Sequence, residues 1–455
     1  MRAGVIISVI FLFFTSEIFS QTTISGVISG SDDKLISLYV VDDYLTREEI
    51  LIDESFIGED GSFSLKSGFD EVRYAVLRVG YYDAGIYLEP GKHYQLECYY
   101  EPVDDFLNPH LMETPLFYSI RNEVFEGLNS NIAKFNTMYD DFVLKNSVPL
   151  FRNRSSKLVQ EFREQVEDAF EGYQSDYFRE YVSYRLAGLE FQTNVTAPQK
   201  LAAQYLSGRP DYTHDEAMSF FNLFFDDYVV ARSKAIDRED LQSTINYQVS
   251  YTALLDSLGK DTLLKNEAMR ELVMLSTLRQ LLGSNDYGYK QVLHIIRHVS
   301  SHSKFPEHRR IADNILRESS DLSEGALPPS ITLNGEDILH PGRKSIMLIF
   351  FQTWNGACQA ENKLLEEMYP QFSDKLDLVL ISVDEKEELW QQWSEENADK
   401  PWQAYWFGRD YQFPAAYRAK AFPLYVLLNP DLTIKRWDIP RPSEGLPEIL
   451  NMILK

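Results

Sequence analysis

Two side-chain types in this sequence have the spacing to do chemistry: a cysteine at a helix start and a row of histidines. Cys358 closes a run that reads Trp354, Asn355, Gly356, Ala357, Cys358, where an apolar strand ends and a helix opens. A thiol in the first turn of a helix lies near its positive end, which favours the nucleophilic thiolate. The same residue is also a small hydrophobe, and a cysteine kept for packing is inert. Both readings stay open at this point. Glu361 is the nearby acid, and at a helix surface it is expected to be solvated.

His294, His298 and His302 recur every four residues, with His308 beyond. On a helix that places them along one face, a spacing that can bind zinc. The run lacks the paired glutamate of a His-Glu-x-x-His arrangement and Pro306 interrupts it, so a polar helix face is expected and no metal site. No cofactor motif stands out either.

These residues need a scaffold, and 455 residues at about 100 to 200 per domain suggest two or three domains. The composition, 44% hydrophobic and 25% charged, is that of a globular chain. The start, Met1 and Arg2 followed by an apolar run from Val5 to Phe14 and then Phe19-Ser20-Gln21, has the pattern of a secretory signal cut after Ser20. The run is too short to cross about 30 Å of hydrocarbon as a helix. A soluble, exported, periplasmic protein is expected. Its formal net charge of −25 would repel phosphate backbones, which argues against nucleic acid as a partner. With only two cysteines, an exported protein of this length is not a disulfide scaffold.

Three patterns follow one another along the chain, and together they predict a multidomain α+β protein. Short apolar runs at Ile24 to Ile28, Leu38 to Val41, Phe63 to Leu65, Tyr74 to Val79 and Tyr94 to Cys98 are separated by turn signals such as Glu59-Asp60-Gly61. They predict antiparallel hairpins in a β-sandwich over 21–104. From about Phe117 the period becomes helical, predicting an all-α region over 105–322 in which Phe220, Phe221, Phe224 and Phe225 are core. A Ser-, Gly- and Pro-rich linker then leads to a third pattern over 323–455. Its order is strand, helix, strand, helix, a short strand, two further strands and a last helix, which predicts an α/β domain.

The segment from Phe350 to Glu361 resembles the TlpA-like thioredoxin family, whose pattern here is Phe-Trp-x-x-Trp-Cys-x-x-Cys-x-x-Glu. Trp354, Cys358 and Glu361 match, while Asn355 stands where the attacking cysteine belongs. Gly325 to Leu333 looks like the segment leading into that family's domain, and Ala421-Phe422-Pro423-Leu424 looks like its cis-proline loop. The β region and the helical run around Tyr177 to Tyr181 also look like modules that precede TlpA-like domains in exported bacterial proteins. The resemblance implies a thioredoxin-like fold for the last 130 or so residues, with Pro423 facing Cys358 and Phe422 and Pro423 beside a groove for extended peptides.

It also implies a changed mechanism. Dithiol exchange needs a first cysteine to attack and a second to resolve the mixed disulfide. Asn355 cannot attack sulfur, but it can cap the helix, a contribution of roughly 1 kcal/mol. Ile349, six residues before Asn355, leaves no buried acid on that strand, and Lys363 replaces the helix-kinking proline. The expectation is a peptide- or protein-binding module whose partners are exported proteins or peptides. The alternative is a single-thiol disulfide oxidoreductase that uses Cys358.

Overall fold

The computed structural model describes residues 21–454 apart from 30–34, 81, 102–113, 123–126, 321, 334–335, 385, 409–413, 415 and 420. The expected signal over 1–20, and part of the turn at Ser29-Gly30-Ser31, lie outside the described residues. The protein is multidomain α+β: β-sheets first, helices next, and an α/β domain last.

Among the described residues eight strands build the first part: β1 (Thr22–Ile28), β2 (Leu35–Val41), β3 (Glu49–Phe56), β4 (Ser62–Ser67), β5 (Arg73–Val79), β6 (Tyr82–Leu88), β7 (His93–Tyr99) and β8 (Phe117–Ile120). They form two four-stranded sheets, ordered β4-β1-β7-β8 and β3-β2-β5-β6. Strand β4 shows the underlying logic, since its residues alternate between exposed and buried and so line one core face with Phe63 and Leu65. The Asp60-Gly61 turn forms as its residues demand. Gly61 sits at φ +78, where a side chain would press on the Ile28 carbonyl, and Asp60 accepts the Ser62 N–H at 3.1 Å.

The structure departs from the sequence reading at two places here. Pairing is not antiparallel throughout, because β1 and β7 run parallel, with Ile24 opposite Tyr94. The helical period read from Phe117 begins instead at Leu128. Phe117–Ile120 is β8, an edge strand paired antiparallel to β7. A four-residue edge strand is too short for a period to separate from that of a helix.

Among the described residues ten α-helices follow: α1 (Leu128–Lys145), α2 (Ser156–Ala169), α3 (Asp176–Thr193), α4 (Pro198–Tyr205), α5 (Asp215–Phe225), α6 (Arg238–Ser243), α7 (Tyr251–Leu258), α8 (Glu267–Leu281), α9 (Tyr289–His302) and α10 (Pro306–Ser320). Prolines begin α4 and α10, where the missing N–H costs no hydrogen bond. Phe220, Phe221, Phe224 and Phe225 are all buried core, as expected. Helix α8 runs through the middle of this core, with Leu272, Val273, Met274 and Leu275 fully buried. No helix among the described residues is long and apolar enough to cross a membrane.

Polar contacts join these parts. Tyr87 of the sandwich and Tyr177 of α3 both donate to the Asp215 carboxylate, at 2.8 and 2.7 Å. Asn129 of α1 pairs with the backbone of Tyr87 through both its N–H and its carbonyl.

The last domain opens with a small hairpin, β9 (Thr332–Leu333) and β10 (Glu336–Asp337). Its main elements are β11 (Ser345–Phe351), α11 (Gly356–Met368), β12 (Leu376–Ser382), α12 (Glu387–Glu396), β13 (Gln403–Trp406), β14 (Leu424–Leu428), β15 (Ile434–Arg436) and α13 (Leu446–Ile453). The sheet order is β13-β12-β11-β14-β15. Strands β11, β12 and β13 are parallel, β14 adds antiparallel to β11, and β15 adds antiparallel to β14. All seven residues of β11 are buried, as a central strand covered on both faces requires.

Candidate functional site

The site lies where β11 ends and α11 begins. Backbone pairing fixes its neighbours: β12 on one side, and β14 on the other with Leu424 opposite Phe350. That register brings Phe422 and Pro423, which immediately precede β14, to the end of β11. Both are buried, and the Phe422–Pro423 peptide bond is cis.

Asn355 is the N-cap of α11. Its side-chain oxygen accepts the N–H of Ala357 at 2.9 Å and that of Cys358 at 3.3 Å. The free N–H groups that would steady a thiolate at this position are therefore engaged by a neutral amide. Gly356 and Ala357 are exposed, while Trp354 is half-buried.

Cys358 is fully buried and is a free thiol, as is Cys98 in the sandwich. Burial pushes its pKa up to about 11; the Gln352 backbone N–H, 3.5 Å from Sγ, pulls the other way, and Asp384 adds to the rise. At neutral pH this group is a neutral thiol. Cys98 is likewise pushed up, to about 12, by burial.

Glu361 differs from the sequence expectation. It is not a solvated surface acid but is buried, and its carboxylate accepts the backbone N–H of Ser443 at 3.0 Å and the Ser443 hydroxyl. The turn Pro442–Glu444 folds over α11 and covers it. Both carboxylate oxygens are engaged in holding the last segment of the domain. Lys363, by contrast, is exposed.

Sequence reasoning missed one residue. Asp384, just past β12, is fully buried and receives the Thr353 backbone N–H at 3.0 and 3.2 Å and the Ser382 hydroxyl at 2.5 Å. Its own carbonyl accepts from the Trp406 indole at 2.7 Å. Burial raises the Asp384 pKa above the ordinary aspartate range, with the Ser382 and Thr353 bonds opposing. The site thus does hold a buried acid, supplied by the neighbouring strand rather than at Ile349. Its signal in the sequence was an acid placed directly after the apolar run of β12.

The histidine row lies exposed on α9. His298 and His302 stack with ring centroids 4.6 Å apart, and His302 Nδ1 contacts the His298 carbonyl at 3.3 Å. Among the described residues no group of three or more His, Cys, Asp or Glu is arranged to hold a metal ion. His308 is buried elsewhere, bound to Glu271 at 2.8 Å and Tyr212 at 2.7 Å.

A parallel β11-β12-β13 set joined to an antiparallel β14-β15 pair, with a helix starting at the end of the central strand, defines a thioredoxin-like domain. Residues 342–434 match a family model described as thioredoxin-like, which agrees with the thioredoxin-like fold of this domain. The thioredoxin domain of a thiol-disulfide oxidoreductase from Bacteroides vulgatus is 22% identical, covering 30% of this chain and 99% of that one, with a TM-score of 0.26. A thiol:disulfide interchange protein from Bacteroides sp. is 21% identical over 30% of this chain and 91% of that one, with a TM-score of 0.25. A thiol-disulfide oxidoreductase from Bacteroides fragilis is 19% identical over 29% of this chain and 100% of that one, with a TM-score of 0.24. The assignment rests on the family match and the strand order, not on these scores.

Proposed function

We propose that this chain is an exported, periplasmic protein whose thioredoxin-like domain has given up dithiol exchange and serves to bind peptides or proteins. The observation that carries this reading is the pair Asn355 and Cys358: a capping amide in the nucleophile's place, and a resolving-position thiol that is fully buried. A thiol pushed up to about 11 offers almost no thiolate at neutral pH, which weighs against single-thiol exchange through Cys358. In this reading Phe422 and Pro423, beside the motif, are the peptide-docking residues, and the sandwich and helical modules supply further partner surface. The division into modules follows the three patterns, with the first extended through β8 because that strand completes its sheet.

Two measurements test the reading. The first is the pH dependence of Cys358 alkylation in folded protein carrying Cys98→Ser. Reaction is expected only after unfolding or well above pH 9, whereas an apparent pKa below about 7 would overturn the loss of thiol chemistry. The second is Asn355→Cys, assayed for disulfide reductase activity. A gain is expected if the surrounding groove is intact, and no gain would mean that the peptide-binding surface has drifted along with the nucleophile.

A further inference from the structure

Helix α1 starts against the sandwich, where Asn129 pairs with Tyr87, and its 18 residues run about 27 Å to their other end. There the chain passes through a five-residue π-helical turn (Val148–Arg152) into α2. Leu150 of this turn packs with Val159 of α2 and Leu189 of α3 in a small core of their own, all three buried. Leu144, Val148 and Phe151 stay outside, exposed to 77%, 58% and 45%. Single exposed apolar residues are ordinary, but three around one seated turn form a patch that gains by being covered.

The charges at this tip narrow what covers it. The whole chain carries −25, yet between Asp141 and Glu161 it holds Lys145, Arg152, Arg154 and Lys157 and no acid. The fold itself accounts for Lys145, which ends α1 where the dipole favours a cation and pairs with Asp141 at 2.8 Å. Lys157 reaches Glu161 at 3.5 Å, but it occupies the first turn of α2, where the dipole disfavours a cation. Arg152 and Arg154 are exposed and form no ion pair among the described residues. Arg154 also sits at φ +52, a conformation most side chains avoid, so a cation is kept there at a conformational cost. On the adjoining end of α3, Glu190 is taken up by Arg163 and Thr196.

Apolar side chains flanked by cations, with the acids Asp141 and Glu161 set a turn back on each helix, are the pattern of an interfacial anchor. The high exposure of Leu144 and Val148 is that of a protruding tip. A fluid bilayer adapts to such a tip, whereas a folded partner would need a matching pocket. We propose that the α1–α2 tip docks the protein on a bilayer rich in anionic phospholipid, with Leu144, Val148 and Phe151 entering the headgroup boundary and Arg152, Arg154 and Lys157 meeting the phosphates. Charges farther away than the Debye length of about 8 Å are screened, so the net negative charge opposes this docking only weakly. The proposal does not rest on the peptide-binding reading.

The test is co-sedimentation of the chain from Gln21, without the apolar run over 5–14 that would itself partition, with vesicles of phosphatidylglycerol and phosphatidylethanolamine at 0.15 M salt. A partition constant of about 10³ M⁻¹ is expected, below the roughly 10⁴ M⁻¹ of one myristoyl chain, with at least tenfold less on phosphatidylcholine vesicles. Arg152→Glu with Arg154→Glu, and separately Val148→Ser with Phe151→Ser, should each lower it at least tenfold with an unchanged circular dichroism spectrum. Tyr247→Ser, at a residue 84% exposed elsewhere in the helical region, should leave it unchanged. Because both native thiols are buried, Phe151→Cys can carry an environment-sensitive fluorophore, whose emission should shift to the blue on the anionic vesicles. Absence of binding to those vesicles overturns the proposal and leaves the tip to an acidic protein partner. Unchanged binding in both paired variants, an equal loss in Tyr247→Ser or an unshifted fluorophore would also overturn it, and equal binding to phosphatidylcholine would remove the role given to the arginines.

Discussion

Two fully or almost fully buried carboxylates, Glu271 in the helical region and Asp384 beside the motif, have opposite electrostatic fates. Burial alone would raise the pKa of both. At Glu271 the hydrogen bonds from His308, Ser303 and Tyr251 outweigh burial and hold the group below the ordinary glutamate value. At Asp384 the partners are a backbone N–H and one hydroxyl, and burial prevails. The difference teaches that Glu271 sits in a well-supplied local network of donors, whereas the end of the thioredoxin-like sheet keeps an acid that its surroundings only half satisfy. Half-satisfied buried acids are characteristic of functional sites more than of structural ones.

The strongest way to break this comparison is Glu271→Ala. It would leave the buried His308 and Ser303 and the Tyr251 hydroxyl without their acceptor at once. A loss of about 3 to 5 kcal/mol of stability is expected in urea denaturation, the range for removing one partner of a buried ionic network. A loss under about 1 kcal/mol would mean the network is dispensable.

The second test uses pH, and the two carboxylates must give opposite signs. Because the Glu271 pKa is lowered on folding, its stabilisation is present above the unfolded glutamate value and is lost as pH falls through the folded value. Because the Asp384 pKa is raised, its contribution is intact below the unfolded aspartate value and is lost as pH rises through the folded one. Glu271→Gln should therefore flatten the acid limb of the stability curve. Asp384→Asn should remove a decline on the rising side, changing stability by about 1 to 2 kcal/mol near neutrality, as for altering one buried polar group. Parallel pH curves for the two variants would erase the distinction.

Much of the thioredoxin-like domain was legible because its signals are local. The apolar runs of β11, β12 and β14 and the Asn355 cap were all readable from a few adjacent residues. What was not legible depends on contacts between distant residues. Glu361 looks like any helix-surface acid until Ser443, 82 positions later, folds over it. Asp384 is invisible as a site residue until strand pairing brings it against Thr353, 31 positions earlier. In the sandwich, the parallel pairing of β1 with β7 cannot be inferred from hairpin signals, because no turn joins the two strands.

The smallest expected effect is also the most discriminating for the motif itself. Asn355→Ala removes the acceptor for the Ala357 and Cys358 N–H groups, and a lost cap costs about 1 kcal/mol. Those freed N–H groups would then join the Gln352 N–H as donors at the start of the Cys358 helix, so the variant asks whether the cap or burial keeps the thiol neutral. Burial is the largest influence on Cys358, so the variant should lose stability in thermal unfolding while alkylation of the folded protein stays as slow as in the parent. If alkylation near pH 7 instead rose tenfold with little loss of stability, the amide at position 355 would be masking a thiolate, and the contrast between the well-supplied Glu271 network and the incomplete thioredoxin-like site would have to be redrawn around that one residue.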